Sequence, residues 1–195
     1  MKKIILLTLA FAACFSAYSQ KFMHGAGVIV LVDKTEYSDA RAVGGLTYSP
    51  RINFFRKDNL SLSVGIPLSV GLGGNYSSHI GSYRNETTNI RFMFNLPAIV
   101  NANFGRGSSK NAHSRMGFFV GAGYGYHFST EADNYSGDYG EYNSAESSST
   151  TGPVANAGLR IGVGRIHNIE IKLSYMKGVT DNKPDIYSLA TLFNF

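Results

Sequence analysis

The chain ends inside a strand. Residues 185–195 alternate, with Tyr187, Leu189, Thr191, Phe193 and Phe195 on one face and Ser188, Ala190 and Asn194 on the other. A strand with nothing after it leaves a row of unpaired backbone groups, and an uncovered edge recruits other chains. That edge must pair within the molecule, most simply with the first strand of a closed barrel.

The other end reads as an export signal. Lys2 and Lys3 precede an apolar run that reaches Ala13, and Ala17-Tyr18-Ser19 supplies small residues for a peptidase. Cleavage is expected before Gln20, so that residues 1–19 are a signal peptide and residues 20–195 one domain. The apolar run is too short to span a bilayer, and no later segment approaches the roughly 18 apolar residues of a transmembrane helix. The single cysteine, Cys14, falls in this stretch, where Phe11-Ala12-Ala13-Cys14 loosely matches a lipidation signal, a second reading of the same residues. Loss of Lys2 and Lys3, with no acid, lowers the formal charge from +5 to +3. So small a surplus, without Lys/Arg clusters, excludes a nucleic-acid footprint. The 22 glycines, 13 phenylalanines and 12 tyrosines, with no tryptophan, suit a β-rich wall.

Period-2 alternation predicts the remaining strands. Over residues 60–73, Leu60, Leu62, Val64, Ile66, Leu68, Val70 and Leu72 share one face, opposed by serines, glycines and Pro67. Residues 89–104, 116–128, 155–163 and 169–175 repeat the pattern, and weaker strands are expected over residues 22–32 and 43–55. Arg91 and four asparagines (Asn89, Asn95, Asn101 and Asn103) line the polar face of residues 89–104, which no hydrocarbon core would hold. An apolar face turned outward to lipid and a polar face turned inward satisfy every strand at once.

With the terminal strand the count is eight, and the connections sort by length. Residues 33–42, 74–88, 129–152 and 178–184 read as long loops, whereas those around Asp58 and residues 165–168 are tight; residues 105–115 are long where a tight turn is expected. On this alternation and on the terminal Tyr187, Phe193, Asn194 and Phe195, the chain resembles the small eight-stranded outer-membrane barrels, the class of OmpX and of the transmembrane part of OmpA. The resemblance implies an all-β, eight-stranded antiparallel up-and-down transmembrane barrel in the outer membrane of a Gram-negative bacterium. It also implies that Tyr187, Leu189, Phe193 and Phe195 carry the signal read by the barrel assembly machinery, beside their plainer role as lipid-facing and girdle residues.

Inside such a barrel, Arg51, Asn53, Arg91, Asn95, Asn101, Asn103, Arg160, Glu170 and Lys172 face the lumen. Eight strands enclose a space that side chains fill, so these residues are expected to form a plug, with Glu170 bridging at least one cation. Pro67 and Pro97, close together on the polar faces of neighbouring strands, are expected to force a bulge.

His127-Phe128-Ser129 has the His-x-Ser spacing of the lipid A deacylase barrels. With Tyr126 and Phe128 facing lipid, however, His127 turns into the lumen and Ser129 opens a loop, and no carboxylate can be assigned as a third group. No enzymatic activity is expected. In residues 129–152 the acids Glu131, Asp133, Asp138, Glu141 and Glu146 are interleaved with Tyr135, Tyr139 and Tyr142. Their spacing is not that of an EF-hand, and the stretch reads as a solvated surface loop whose tyrosines suit protein or glycan contacts. Glycines at 121, 123, 125, 162 and 164 lie within strands and read as packing positions rather than nucleotide loops. His24, His79, His113 and His167 are scattered, so neither metal nor cofactor is expected.

The function expected is that of a non-enzymatic surface barrel with a filled lumen, in contact with outer-membrane lipid, the assembly machinery and an extracellular protein or glycan. Three other readings stay open on the sequence alone: a soluble lipocalin-like periplasmic barrel with its aliphatic faces inward, a narrow pore, and a lipid-modifying enzyme. The first would have a surface poor in charge, since only 16% of residues are charged.

Overall fold

A computed structural model describes residues 21–35, 40–57, 59–80, 84–108, 114–137, 140–164, 166–180 and 183–195. The expected signal peptide with Cys14, as well as Asp138, Tyr139 and His113, lies outside the described residues. The strands are β1 (Lys21–Met23), β2 (Gly25–Lys34), β3 (Arg41–Tyr48), β4 (Arg51–Lys57), β5 (Leu60–Gly65), β6 (Leu68–Ile80), β7 (Arg84–Gly105), β8 (Met116–Gly137), β9 (Gly140–Val163), β10 (His167–Lys177) and β11 (Asp185–Asn194). They are all antiparallel and close into a ring of eight runs, because β1 continues into β2, β3 into β4 and β5 into β6. β11 seals the ring on β2 from Asp185↔Lys34 to Asn194↔Gly25, and Phe195 extends the seam by exchanging backbone hydrogen bonds with His24. The terminal strand thus finds its partner in the first, and no edge is left along the barrel's seam.

Side-chain parity makes the molecule inside-out. On β10, Ile169, Ile171, Leu173 and Tyr175 point outward while Asn168, Glu170, Lys172 and Met176 are buried in the lumen; Leu173 is 61% exposed and Glu170 2%. The same inversion leaves Val28, Leu46, Leu72, Val120, Leu159 and Leu189 on the outside. The fold therefore places its continuous aliphatic band where a soluble barrel would carry charge. Rings of aromatic contacts flank the band. At the end that carries the termini, His24 stacks between Tyr48 and Phe195, His167 on Phe193, and Phe104 on Phe118 at 4.6 Å. Toward the far end, Tyr175 meets Tyr187 at 5.2 Å and Phe94 meets Tyr126 at 6.4 Å.

Two expectations are corrected here. The prolines cause no bulge: β5 pairs with β7 up to Gly65↔Ile99 and β6 resumes in unchanged register at Ser69↔Asn95. Pro67 then faces Pro97, so two residues lacking N–H share one gap in the ladder instead of opening two. The register shift lies elsewhere, between Asn53 and Arg56 of β4, and turns both Phe54 and Phe55 outward.

The other correction concerns the long loops. Residues 129–137 and 140–152 are not a loop but the outer half of a hairpin, in which β8 and β9 stay in one register from Met116↔Ile161 to Gly137↔Gly140. Residues 74–88 likewise belong to the β6–β7 hairpin, paired as far as Ile80↔Arg84. Polar composition hid these strands because, beyond the lipid, neither face of the sheet has to be apolar. β6 to β9 consequently rise as a four-stranded wall well above β2, β3, β10 and β11.

Candidate functional site

The lumen holds two separate ionic clusters. At the end carrying the termini, Glu170 accepts from Arg51 Nη1 and Arg160 Nε, both at 2.7 Å, and from Asn194 Nδ2 at 3.1 Å. Arg160 Nη1 also donates to Asn103 Oδ1 at 2.8 Å, and its guanidinium lies 4.2 Å from the centre of the Phe119 ring. Asn103 Nδ2 passes the network on to Ser63 Oγ at 2.9 Å, and Asn194 Nδ2 donates to Asn168 Oδ1 at 2.7 Å. Glu170, Arg51 and Arg160 are each at most 4% exposed. A buried carboxylate between two guanidiniums satisfies the geometry that low-dielectric burial demands, since losing one partner would leave an uncompensated charge.

The long connection after β7 explains itself at this same end. From Gly105 it turns under the barrel: Arg106 Nη2 donates to the carbonyls of Gly164 and His167, each at 3.0 Å, and the carbonyl of Ser108 accepts from Asn53 Nδ2 at 3.2 Å. Gly107 takes a positive φ of 83°, and a Cβ there would sit 2.7 Å from Arg160 Cδ. Glycine alone lets the backbone lie against that buried arginine. Arg106 and Ser108 thus cap the mouth, although their sequence carries no period that would have revealed them.

Above this network the lumen turns apolar. Ile29, Leu31, Val43, Met93, Ala190 and Leu192 form one buried cluster, and Ile99, Val154, Met176 and Ile186 another. Asn95, Asn101 and Lys172 are buried among the lumen-facing positions, but no hydrogen bond or ion pair within 4 Å joins them to Glu170 among the described residues.

The far end holds the second cluster, in which Glu131 takes the place of Glu170. Arg91 Nη2 reaches Glu131 Oε1 at 2.8 Å, Arg41 Nη1 reaches Oε2 at 3.1 Å, and Asn89 Nδ2 donates to both Glu131 and Asp133. Arg91 therefore belongs here and not with the Glu170 network. Burial works to raise the Glu131 carboxyl, but the Arg91 and Asn89 hydrogen bonds and the Arg41 charge outweigh it and hold the group below the ordinary carboxylate range. Beside this cluster lies a cavity of about 450 Å³ lined by Asp33, Arg41, Arg91, His127, Glu131 and Lys183, among others. His127 is 2% exposed, and neither of its ring nitrogens has a hydrogen-bond partner, Ser129 included. Ser129 is itself within β8, two residues on and in the same cavity wall, so the expected loop start is corrected. Asp33, Arg41 and Lys183 escaped sequence reasoning because they stand at strand ends, where alternation gives way to turns.

Among the loop candidates, Asp133 lies on the inner face of the wall, whereas Tyr135 and Tyr142, opposite each other in the register, are 38% and 67% exposed. Tyr187, Leu189, Phe193 and Phe195 all point outward. Among the described residues no group of His, Cys, Asp and Glu is placed to hold a metal ion.

No family model matches the chain, and no curated protein matches it. Solved structures do. The attachment invasion locus protein Ail of Yersinia pestis is similar, with a TM-score of 0.52 at 10% identity, over 90% of this chain and 98% of that one. Neisserial surface protein A gives 0.49 at 13% identity, over 91% and 98%, and OprG of Pseudomonas aeruginosa gives 0.42 at 10%, over 90% and 95%. At such identities the likeness is one of architecture, and it agrees with the inside-out wall. The chain has the fold of the small eight-stranded outer-membrane β-barrels.

Proposed function

We propose that the protein is an integral outer-membrane barrel with a non-conducting lumen that acts through contacts made by its raised wall. One observation carries this reading. Among the described residues, β9 over residues 140–148 pairs only with β8, and its other edge is open. The orientation of that edge follows from its base, where Thr151 O accepts from Val179 N and Ser149 O from Thr180 Oγ1. Alternation then turns the backbone groups of Ser147, Ala145 and Asn143 outward, in a stretch without proline or lysine to blunt it. An open edge of this kind accepts an extended segment of another protein by strand addition, with main-chain hydrogen bonds for affinity and neighbouring side chains, here Tyr142 and Tyr135, for selectivity. A glycan could use the same tyrosines.

The Glu170 network and the Arg106 cap support a lumen that is closed at the periplasmic end. Export by the signal peptide, delivery to the assembly machinery through the outward face of β11 and a non-enzymatic role complete the reading. A heat-dependent gel shift in the outer-membrane fraction tests its first part. The second part is tested by Ser147→Pro, which removes an edge donor while keeping the β8 ladder. Cells displaying this variant are expected to bind extended peptides from a displayed library more weakly than wild-type cells do; equal binding by both would overturn the edge as the contact surface.

A further inference from the structure

We infer that the outer face of the barrel carries a site for an anionic, phosphate-bearing lipid, with its headgroup on Lys34 and Lys177 and one acyl chain in the groove directly below them. Two independent features coincide there. The first is the groove, a hollow of about 690 Å³ on the outward face of β2, β9, β10 and β11. It exists because β9 presents only the methyl groups of Ala155 and Ala157, in register with Tyr175 and Leu173 of β10, whose longer side chains stand out beside them. Tyr187 and Leu189 of β11 continue the same two rows, and almost the whole wall is apolar. An apolar hollow of this size, opening on lipid, suits a hydrocarbon chain.

The second feature is the next outward row on the same strands. Lys34 of β2, Asp185 of β11 and Lys177 of β10 stand side by side in the register. Asp185 is already satisfied, because Lys177 Nζ lies 2.9 Å from its Oδ1 and the Tyr175 hydroxyl donates to the same oxygen at 2.6 Å. Lys34 is exposed and forms no ion pair among the described residues, so the row keeps a surplus of one positive charge. Its height fits as well. Asp185 stands ten positions before Phe195, and ten residues at about 3.4 Å each, on a strand tilted by about 40°, rise about 26 Å, the height of a barrel's apolar band. The row therefore lies at the far boundary of the band, where headgroups begin, with the paired rings of Tyr175 and Tyr187 as its aromatic girdle. A lysine at that level lays its apolar stem along the barrel and offers its ammonium to a phosphate. A second copy of the chain would set the same cations against each other, so the surplus charge selects the lipid. The inference rests on the reading of the chain as a membrane barrel and is independent of the upper β9 edge.

The test uses the mature full chain, labelled with ¹⁵N and inserted into nanodiscs of phosphatidylcholine, whose choline cancels its phosphate. Phosphatidylglycerol, which keeps one negative charge, is added in rising fractions. The amide signals of Ala157, Leu173 and Leu189 are expected to shift saturably with phosphatidylglycerol and to ignore inorganic phosphate. The double variant Lys34→Gln/Lys177→Gln is expected to weaken the response at least ~10-fold. Ala157→Leu, which fills the groove, is expected to remove it at Leu173 and Leu189. A barrel that inserts but shows no saturable response would overturn this inference alone, whereas a chain that never inserts would overturn the membrane reading with it. Inorganic phosphate acting as strongly would make the row a plain anion site, and shifts that track the number of chains per disc would assign the groove to a second copy. Either result overturns the proposal, as does a double variant that responds like wild type. Should that variant fail to fold, the lipid and phosphate titrations of the wild-type protein decide.

Discussion

The two ends of the lumen use the same chemistry, a glutamate clamped by two arginines, to opposite effect. Around Glu170 the arginines are at most 4% exposed, Asn103 and Asn194 add hydrogen bonds, and a turn of chain lies beneath the mouth. Around Glu131 the arginines are 19% and 31% exposed, and the cluster lines a cavity instead of filling it. The difference is one of enclosure. In the deep site the barrel surrounds the ions on all sides, so the trio acts as a structural knot. At the rim β2, β3, β10 and β11 have ended while β6 to β9 continue, so the trio stands against one wall and leaves its opposite side to the cavity.

If enclosure is what separates them, removing the carboxylate should be far costlier below than above. Glu170→Gln is expected to destabilise the folded barrel by about 3–5 kcal/mol, because two buried guanidiniums lose their counter-charge, as read by urea unfolding in detergent. Next in size is Gly158→Ala. A Cβ there would press on the carbonyl oxygen of Ile171 in the neighbouring strand and lie 2.5 Å from the Phe119 ring that packs on Arg160, and a loss of about 1–3 kcal/mol in the same assay is expected. Glu131→Gln should cost no more than about 1 kcal/mol, since water screens the rim. A rim effect as large as the deep one would break the comparison.

The smallest effect is that of pH. The Glu131 carboxyl is held below its ordinary range, so its contribution is complete above that range and is lost as pH falls through the depressed value. Amide exchange in the upper β7–β8 ladder, followed from pH 6 downward, is therefore expected to speed up only once pH drops below the ordinary carboxylate value of about 4.3. Loosening that begins well above that value would contradict the assignment.

Legibility followed the lipid. Where one face is wholly apolar, as in β10 and β11, alternation alone sorts each side chain to its face, and burial then shows the apolar face to be the outer one. Where the wall rises beyond the aliphatic band, residues 129–137 and 140–152 read as loop although they are strand, because Ser144 to Ser149 need no apolar partner on either face. The candidate sites divide in the same way. Glu170, Arg51 and Arg160 stand at regular lumen positions and could be read together. Asp33, Arg41, Lys183 and Arg106 stand at strand ends or in a turn, where no period marks them.

What the chain's own residues determined was an all-β barrel with one aliphatic and one polar face, since period-2 alternation needs only one neighbour on either side to be realised; that the aliphatic face lies outside was decided by the tertiary structure. The tertiary structure alone decided which ions meet. Arg51 and Glu170 lie 119 positions apart in the sequence, and only the closure of β11 on β2 and the register of each hairpin set their distance. The same closure, acting on strands of unequal length, produced an ion-paired lower lumen, a cavity at the rim and, among the described residues, an upper β9 that pairs only with β8, because a barrel must end where its shortest strands end while its longest can go on pairing with each other.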